Sequence, residues 1–166
     1  MNKLRKIDLQ KDLNSVYEML SENQYGFSIP GFAENMTESQ FQNRFVFLMR
    51  GYYHDCFVSV DTQNTPCGLF LAYDFRMYDS HCKIYSVMSS SVEEDFFGEF
   101  VHRLFVKYPL RKVFLEVGEI EKELLQTAYS YGFKQEAVMK QNRFVDGIYY
   151  NTVISGIYAE DVLGRK

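Results

Sequence analysis

Apolar positions along the chain switch between a helical and a strand-like rhythm, and each switch marks an element. Ile7 opens a short apolar stretch that reads as a first strand. Leu13, Val16, Tyr17 and Leu20 then recur at i, i+3, i+4 and i+7, one face of a helix. Over residues 22–35, Gly26, Pro30 and Gly31 interrupt a run of aromatics, so this stretch reads as a loop. Thr37 with Gln40 has the form of a capping box, and Phe41, Phe45, Leu48 and Met49 repeat the helical period behind it. Gly51 is placed to end that helix.

The rhythm then becomes that of strands. Residues 56–60, 68–75 and 83–88 read as three consecutive strands, with polar turns at 61–66 and at Asp79-Ser80, which favours an antiparallel meander. Phe96, Phe97, Phe100, Val101, Leu104, Phe105 and Tyr108 form a broad apolar stripe on a helix that Pro109 ends. Residues 112–117 form a compact strand. Strand, helix and strand make a crossover, so 83–88 and 112–117 should lie parallel. Leu124, Leu125 and Ala128 mark a further helix that stops at Gly132. Residues 138–145 and 148–158 flank Asp146-Gly147, a hairpin whose turn residues favour type I′. With no internal repeat and no linker, the pattern predicts a single α+β domain over residues 1–166.

Composition narrows the function. The 166 residues are 46% hydrophobic and 24% charged, which excludes a disordered or collagen-like chain. Eighteen basic against 22 acidic residues give a net charge of −4, the wrong sign for a nucleic-acid binder. The charged start has no apolar stretch behind it and no window reaches the length of a membrane span, so neither a signal peptide nor a membrane partner is expected. Three cysteines (Cys56, Cys67 and Cys82) at unpatterned spacing fit a reducing cytoplasm. His54 with Cys56, and His81 with Cys82, are too few and too poorly spaced for a metal centre, and no metal is expected. Thirteen Tyr and 15 Phe without Trp could fill a core or line a pocket.

Residues 112–133 (KVFLEVGEIEKELLQTAYSYGF) give a strand, a helix and a closing Gly132-Phe133, and residues 134–150 follow as a hairpin. With the element order of the whole chain, this resembles the GNAT superfamily of acetyl-coenzyme-A-dependent N-acyltransferases. The last third is similar to the branch that acetylates ribosomal-protein N termini. The resemblance implies a mixed, mostly antiparallel sheet with helices on both faces and one parallel strand pair splayed into a V-shaped cleft. It implies acetyl-CoA or another acyl-CoA as co-substrate, held by Ser86, Val87 and Met88 of the first parallel strand and by Ser89, Ser90, Ser91 and Val92 before the next helix. It also implies a small-molecule or peptide amine as acceptor, and it leaves a homodimer open. Tyr25, Phe27 and Phe32 in the aromatic loop, with Asp74, are the candidate acceptor contacts, because loops after the first helix line the acceptor side in this fold.

Two departures from the family pattern bear on the chemistry. The family approaches pyrophosphate with a Gln/Arg-x-x-Gly-x-Gly/Ala segment, whereas residues 88–95 (MSSSVEED) hold no glycine and no basic residue. Ser91 with Glu94 has the form of a capping box instead, and each acid some 6–7 Å from a phosphate would cost roughly 2–3 kcal/mol at an effective dielectric near 20. The family's proton-donating tyrosine falls at Ala128, and an asparagine common seven residues earlier falls at Glu121. Tyr129 and Tyr131 are the substitutes on offer, about 100° and about 60° to either side round the helix. The sequence therefore supports two readings: an N-acyltransferase with an unusual cofactor loop, and an inactive GNAT-like protein that binds a partner or small ligand through the same cleft.

Overall fold

The computed structural model describes residues 3–23, 28–32, 35–88 and 96–164. Seven strands form one sheet in the order β1 (Lys3–Lys6), β2 (Tyr53–Val60), β3 (Pro66–Arg76), β4 (His81–Met88), β5 (Lys112–Gly118), β7 (Ile148–Tyr158) and β6 (Lys134–Val145). The helices are α1 (Leu13–Glu22), α2 (Glu38–Leu48), α3 (Phe96–Lys107), α4 (Lys122–Tyr131) and α5 (Ala159–Leu163). The sheet is mostly antiparallel, with β4 and β5 as its parallel pair. Contacts divide the chain into two compact units, Met1–Asp74 with Ser86–Phe100, and Phe75–Tyr85 with Val101–Lys166. No helix among the described residues is long and apolar enough to cross a membrane.

In the first unit β1 runs antiparallel to β2, and β2 antiparallel to β3. The helical period puts Val16 and Leu20 of α1 and Phe41 and Phe45 of α2 in the core, each fully buried. Phe32, Phe41, Phe45 and Tyr53 stack in sequence with ring centroids 5.1–5.8 Å apart. Phe100 of α3 meets Phe57 and Phe70 at 5.9 and 5.6 Å. The Tyr53 hydroxyl donates to the Pro30 carbonyl and so fastens the aromatic loop to β2. Burial pushes the Tyr53 phenol far above its ordinary range, so it stays a donor. Asp12, buried just before α1, accepts two hydrogen bonds from Arg5 (2.6 and 2.8 Å) and one from the Asp8 N–H (2.7 Å). Burial works against its charge, but these partners outweigh burial and hold the carboxyl below the usual range.

The capping box of α2 forms as expected: the Gln40 N–H donates to Thr37 Oγ1 and the Thr37 N–H donates to Gln40 Oε1. Gly51 does not end α2. The helix closes at Leu48 through a right-handed Met49 (φ −64°), and bonds from Arg50 to Phe47 and from Gly51 to Leu48 tighten its last turn without a left-handed residue.

In the second unit β5 runs antiparallel to β7 along its whole length, and β6 completes the hairpin with β7. Asp146 (φ 48°) and Gly147 (φ 81°) both occupy the left-handed region that a type I′ turn demands. Gly132 caps α4 with φ 109°, and the N–H of Phe133 returns to the Ala128 carbonyl. That abrupt stop starts β6 at Lys134, four residues before the alternation of apolar positions makes it visible. The short α5, closed by Gly164 (φ 62°), carries no periodic signal of its own.

Candidate active site

The parallel pair determines where chemistry can occur. His81, Cys82, Lys83 and Ile84 of β4 align with Lys112, Val113, Phe114 and Leu115 of β5. There the ladder stops. Among the described residues Tyr85 and Glu116, the next along each strand, do not pair, although β4 runs on to Met88 and β5 to Gly118. β7 holds the other edge of β5 to its end: Glu116, Val117 and Gly118 pair with Ile154, Val153 and Thr152. The register of the parallel pair thus ends at Ile84 and Leu115.

β4 ends in Ser86, Val87 and Met88. Ser86 is 4% exposed, and its Oγ has no hydrogen-bond partner. A buried orphan hydroxyl costs about 1–3 kcal/mol unless something satisfies it. Val87 is buried and Met88 half-buried. Gly68 of β3 lies close by: a Cβ there would come within 2.5 Å of Ser59 Oγ and 3.3 Å of Met88 Cγ. The Ser86 hydroxyl is thus a buried donor and acceptor that a ligand could satisfy. Ser89, Ser90, Ser91 and Val92, expected to hold the pyrophosphate, lie outside the described residues.

One residue earlier on β4, Tyr85 is buried and donates its hydroxyl to Glu121 Oε1. Glu121 sits before the first turn of α4, itself 5% exposed. Its second oxygen accepts from the Gly118 N–H (2.8 Å) and from Arg143 Nη1 of β6 (2.9 Å). One carboxyl therefore ties β4, the end of β5 and β6 together. Burial pushes this carboxyl above its ordinary range, while Arg143, the Tyr85 hydroxyl and the Gly118 N–H each pull it back. Glu119, its neighbour in the turn, is taken up by Asn151 of β7, at 3.0 Å from both the N–H and Nδ2.

The other candidates fall as follows. Ala128 is fully buried on α4. Tyr129 is exposed, and its hydroxyl reaches Gln135 Oε1 at 3.4 Å, while Tyr131 is half-buried. Phe32 is half-buried against Phe41 and Phe45. Asp74 is half-buried near the end of β3 with φ 48°, a left-handed conformation that aspartate tolerates better than most residues. Tyr25 and Phe27 lie outside the described residues. No group of three or more metal-ligating side chains occurs among the described residues.

Tyr85 was not among the candidates that the sequence offered. Its only signal is parity: it alternates with Lys83 on β4 and is the first residue past the ladder. Glu121 stood out only as the residue in the place of an asparagine. A lone acid before an amphipathic helix reads as an ordinary first-turn charge until its burial is known.

No family model and no curated protein matches the sequence. Solved structures do. A spermidine N-acetyltransferase from Vibrio cholerae, determined in complex with CoA and spermine, superposes with a TM-score of 0.79 at 15% identity, covering 98% of this chain and 98% of that one. A probable acetyltransferase of the GNAT family from Chromobacterium violaceum gives 0.78 at 11% identity over 96% of this chain and 84% of its own. The chain has the GNAT acetyltransferase fold. Identities this low carry backbone architecture only. Ser86, Tyr85 and Glu121 therefore have to be read from their own surroundings.

Proposed function

We propose that this chain is an acyl-CoA-dependent N-acyltransferase that moves an acetyl group from acetyl-CoA to a primary amine. The observation that carries this reading is the buried Ser86 hydroxyl without a hydrogen-bond partner, in the stretch of β4 that runs on past Ile84, the last residue in register with β5. Direct transfer needs no covalent intermediate on the protein. The backbone of Ser86, Val87 and Met88 orients the thioester arm as a strand would, and N–H groups near Val87 and Met88 polarise the carbonyl. Acetyl-CoA supplies the activated acyl group.

For the acceptor we infer a small-molecule amine of the polyamine class, in line with the spermine complex of the Vibrio cholerae structure. A protein N terminus, suggested by the terminal hairpin, is the alternative amine. Tyr129 and Tyr131 remain candidates for proton transfer, and Phe32 and Asp74 for acceptor contact. Release of free thiol tests the reading when the protein is mixed with acetyl-CoA and either spermidine or a peptide with a free amino terminus. Turnover with one of the two supports it. Absence of turnover with both, at saturating acetyl-CoA, rejects it.

A second reading has its own support. Ala128 offers no proton, and three acids follow the serines at residues 93–95 where a pyrophosphate would lie. Both features suit a GNAT-like protein that has kept the frame and binds a ligand or partner without catalysis.

A further inference from the structure

We propose that the cavity between the end of α3 and α5 is a small-molecule site for a zwitterion with a bulky apolar body, an α-amino acid of the leucine or phenylalanine kind. Every residue that lines it belongs to the second compact unit, so the site does not depend on the acyl-transfer residues. Its volume is about 440 Å³, within the range of pockets that hold small molecules.

The chain leaves α3 at Lys107, passes Pro109 and enters β5 at Lys112, while β7 ends at Tyr158 and turns directly into α5. Between them the backbone of Arg111 is pinned on both sides. Its N–H donates to the Ser80 carbonyl (2.6 Å), and its carbonyl accepts from the Ala159 N–H (3.0 Å). Phe105 and Leu110 are buried and Leu163 is half-buried, which gives the cavity an apolar lining. Gly118, beside Glu121, ends β5 at the other end of the strand, roughly 20 Å away at about 3.3 Å per residue.

Two exposed charges of opposite sign stand at the rim, Arg111 and Glu160. The Arg111 guanidinium lies 5.7 Å from the centre of the Tyr158 ring, and no carboxylate among the described residues pairs with it. Lys112 sits over the same ring at 4.7 Å, but Glu136 matches its charge at 2.7 Å. The Glu160 carboxylate likewise has no basic partner among the described residues, and it does not pair with Arg111. An arginine stacked on a ring presents its N–H fork to a carboxylate, and a carboxylate takes an ammonium. An anion alone would face Glu160, and a cation alone would face Arg111. A molecule that carries both charges satisfies each, and its apolar body gains from burial against Phe105, Leu110 and Leu163 as an inorganic ion would not.

Calorimetric titration of the full chain with L-phenylalanine, repeated with L-leucine, tests the site. We expect saturable binding at one site per chain, with a Kd of about a millimolar or tighter, unchanged by saturating CoA. Arg111→Met keeps the apolar stem and removes the fork, so it should weaken binding by about tenfold or more. Glu160→Gln should weaken phenylalanine by a similar factor while leaving phenylpropionate, which has no ammonium, at least as tightly bound as before. Both residues are exposed, and an unshifted thermal midpoint confirms that each variant folds. No saturable binding of either amino acid up to about 10 mM overturns the proposal. So does binding that Arg111→Met leaves intact, or binding that CoA abolishes, which would move the amino acid to the acyl-transfer residues. Phenylpropionate bound by the native chain as tightly as phenylalanine overturns the zwitterion assignment.

Discussion

The Tyr85 hydroxyl donates to the carboxyl of Glu121 across 36 residues of chain, and this bond ties β4 to the residue that precedes α4. A buried carboxyl with donors from β4, β5 and β6 ties these three strands together within the second unit. Burying this carboxyl costs the desolvation of an acid, and three hydrogen bonds, from Tyr85, the Gly118 N–H and Arg143, offset it.

Glu121→Ala should therefore destabilise the fold by about 2–3 kcal/mol, since it removes the buried acceptor that the Tyr85 phenol, the Gly118 N–H and Arg143 share. Urea unfolding measures it. A change below about 0.5 kcal/mol would mean that solvent already serves those donors.

The raised carboxyl of Glu121 has a signed consequence for pH. A group that binds its proton more tightly in the native state contributes stability below its unfolded pKa, and that contribution fades as pH rises through the native value. From about pH 4 upward, the stability gain of Glu121→Gln relative to the native chain should increase until the native carboxyl is fully ionised. Parallel stability–pH curves for the two proteins would contradict this.

Asp12 behaves in the opposite sense. Its carboxyl is held low against burial by Arg5 and the Asp8 N–H, so its contribution is present at neutral pH and lost as pH falls through its lowered value. Asp12→Asn should cost about 1–2 kcal/mol at pH 7, reduced by the partial exposure of Arg5, and the difference should shrink in acid. Thermal unfolding at pH 7 and pH 3 reads both limbs.

Gly132 holds φ 109° at the end of α4, and its substitution by alanine should cost about 1–2 kcal/mol through backbone strain alone, because no close neighbour obstructs the Cβ. Thermal denaturation measures the loss. An unshifted midpoint would show that the cap relaxes.

Much of the architecture was legible in the sequence because it rests on patterns with a fixed period. The α2 capping box, the α3 stripe and the Asp146-Gly147 turn are each decided within a few residues, and all three form. The parallel relation of β4 and β5 followed from the helix between them. The end of α2 was misread because glycine is only one way to stop a helix, and Met49 with two short-range bonds is another. The site was less legible. Orphaned Ser86 Oγ and the Tyr85–Glu121 bond depend on burial and on partners 36 residues apart, which no local pattern encodes.

The acids after Met88 bear directly on cofactor affinity. Replacing Glu93 by Gly together with Glu94 by Lys should raise affinity for acetyl-CoA by about tenfold or more at low salt, an effect that shrinks as salt rises. Unchanged affinity would mean that these acids point away from the pyrophosphate.

Calorimetric titration of acetyl-CoA into the native protein tests the central claim most directly. The free end of β4 predicts saturable binding at one site per chain, weakened when Ser86 is replaced by valine, whose methyl groups cannot take the orphan hydroxyl's place. No heat, and no thermal stabilisation at about millimolar acetyl-CoA, would contradict it.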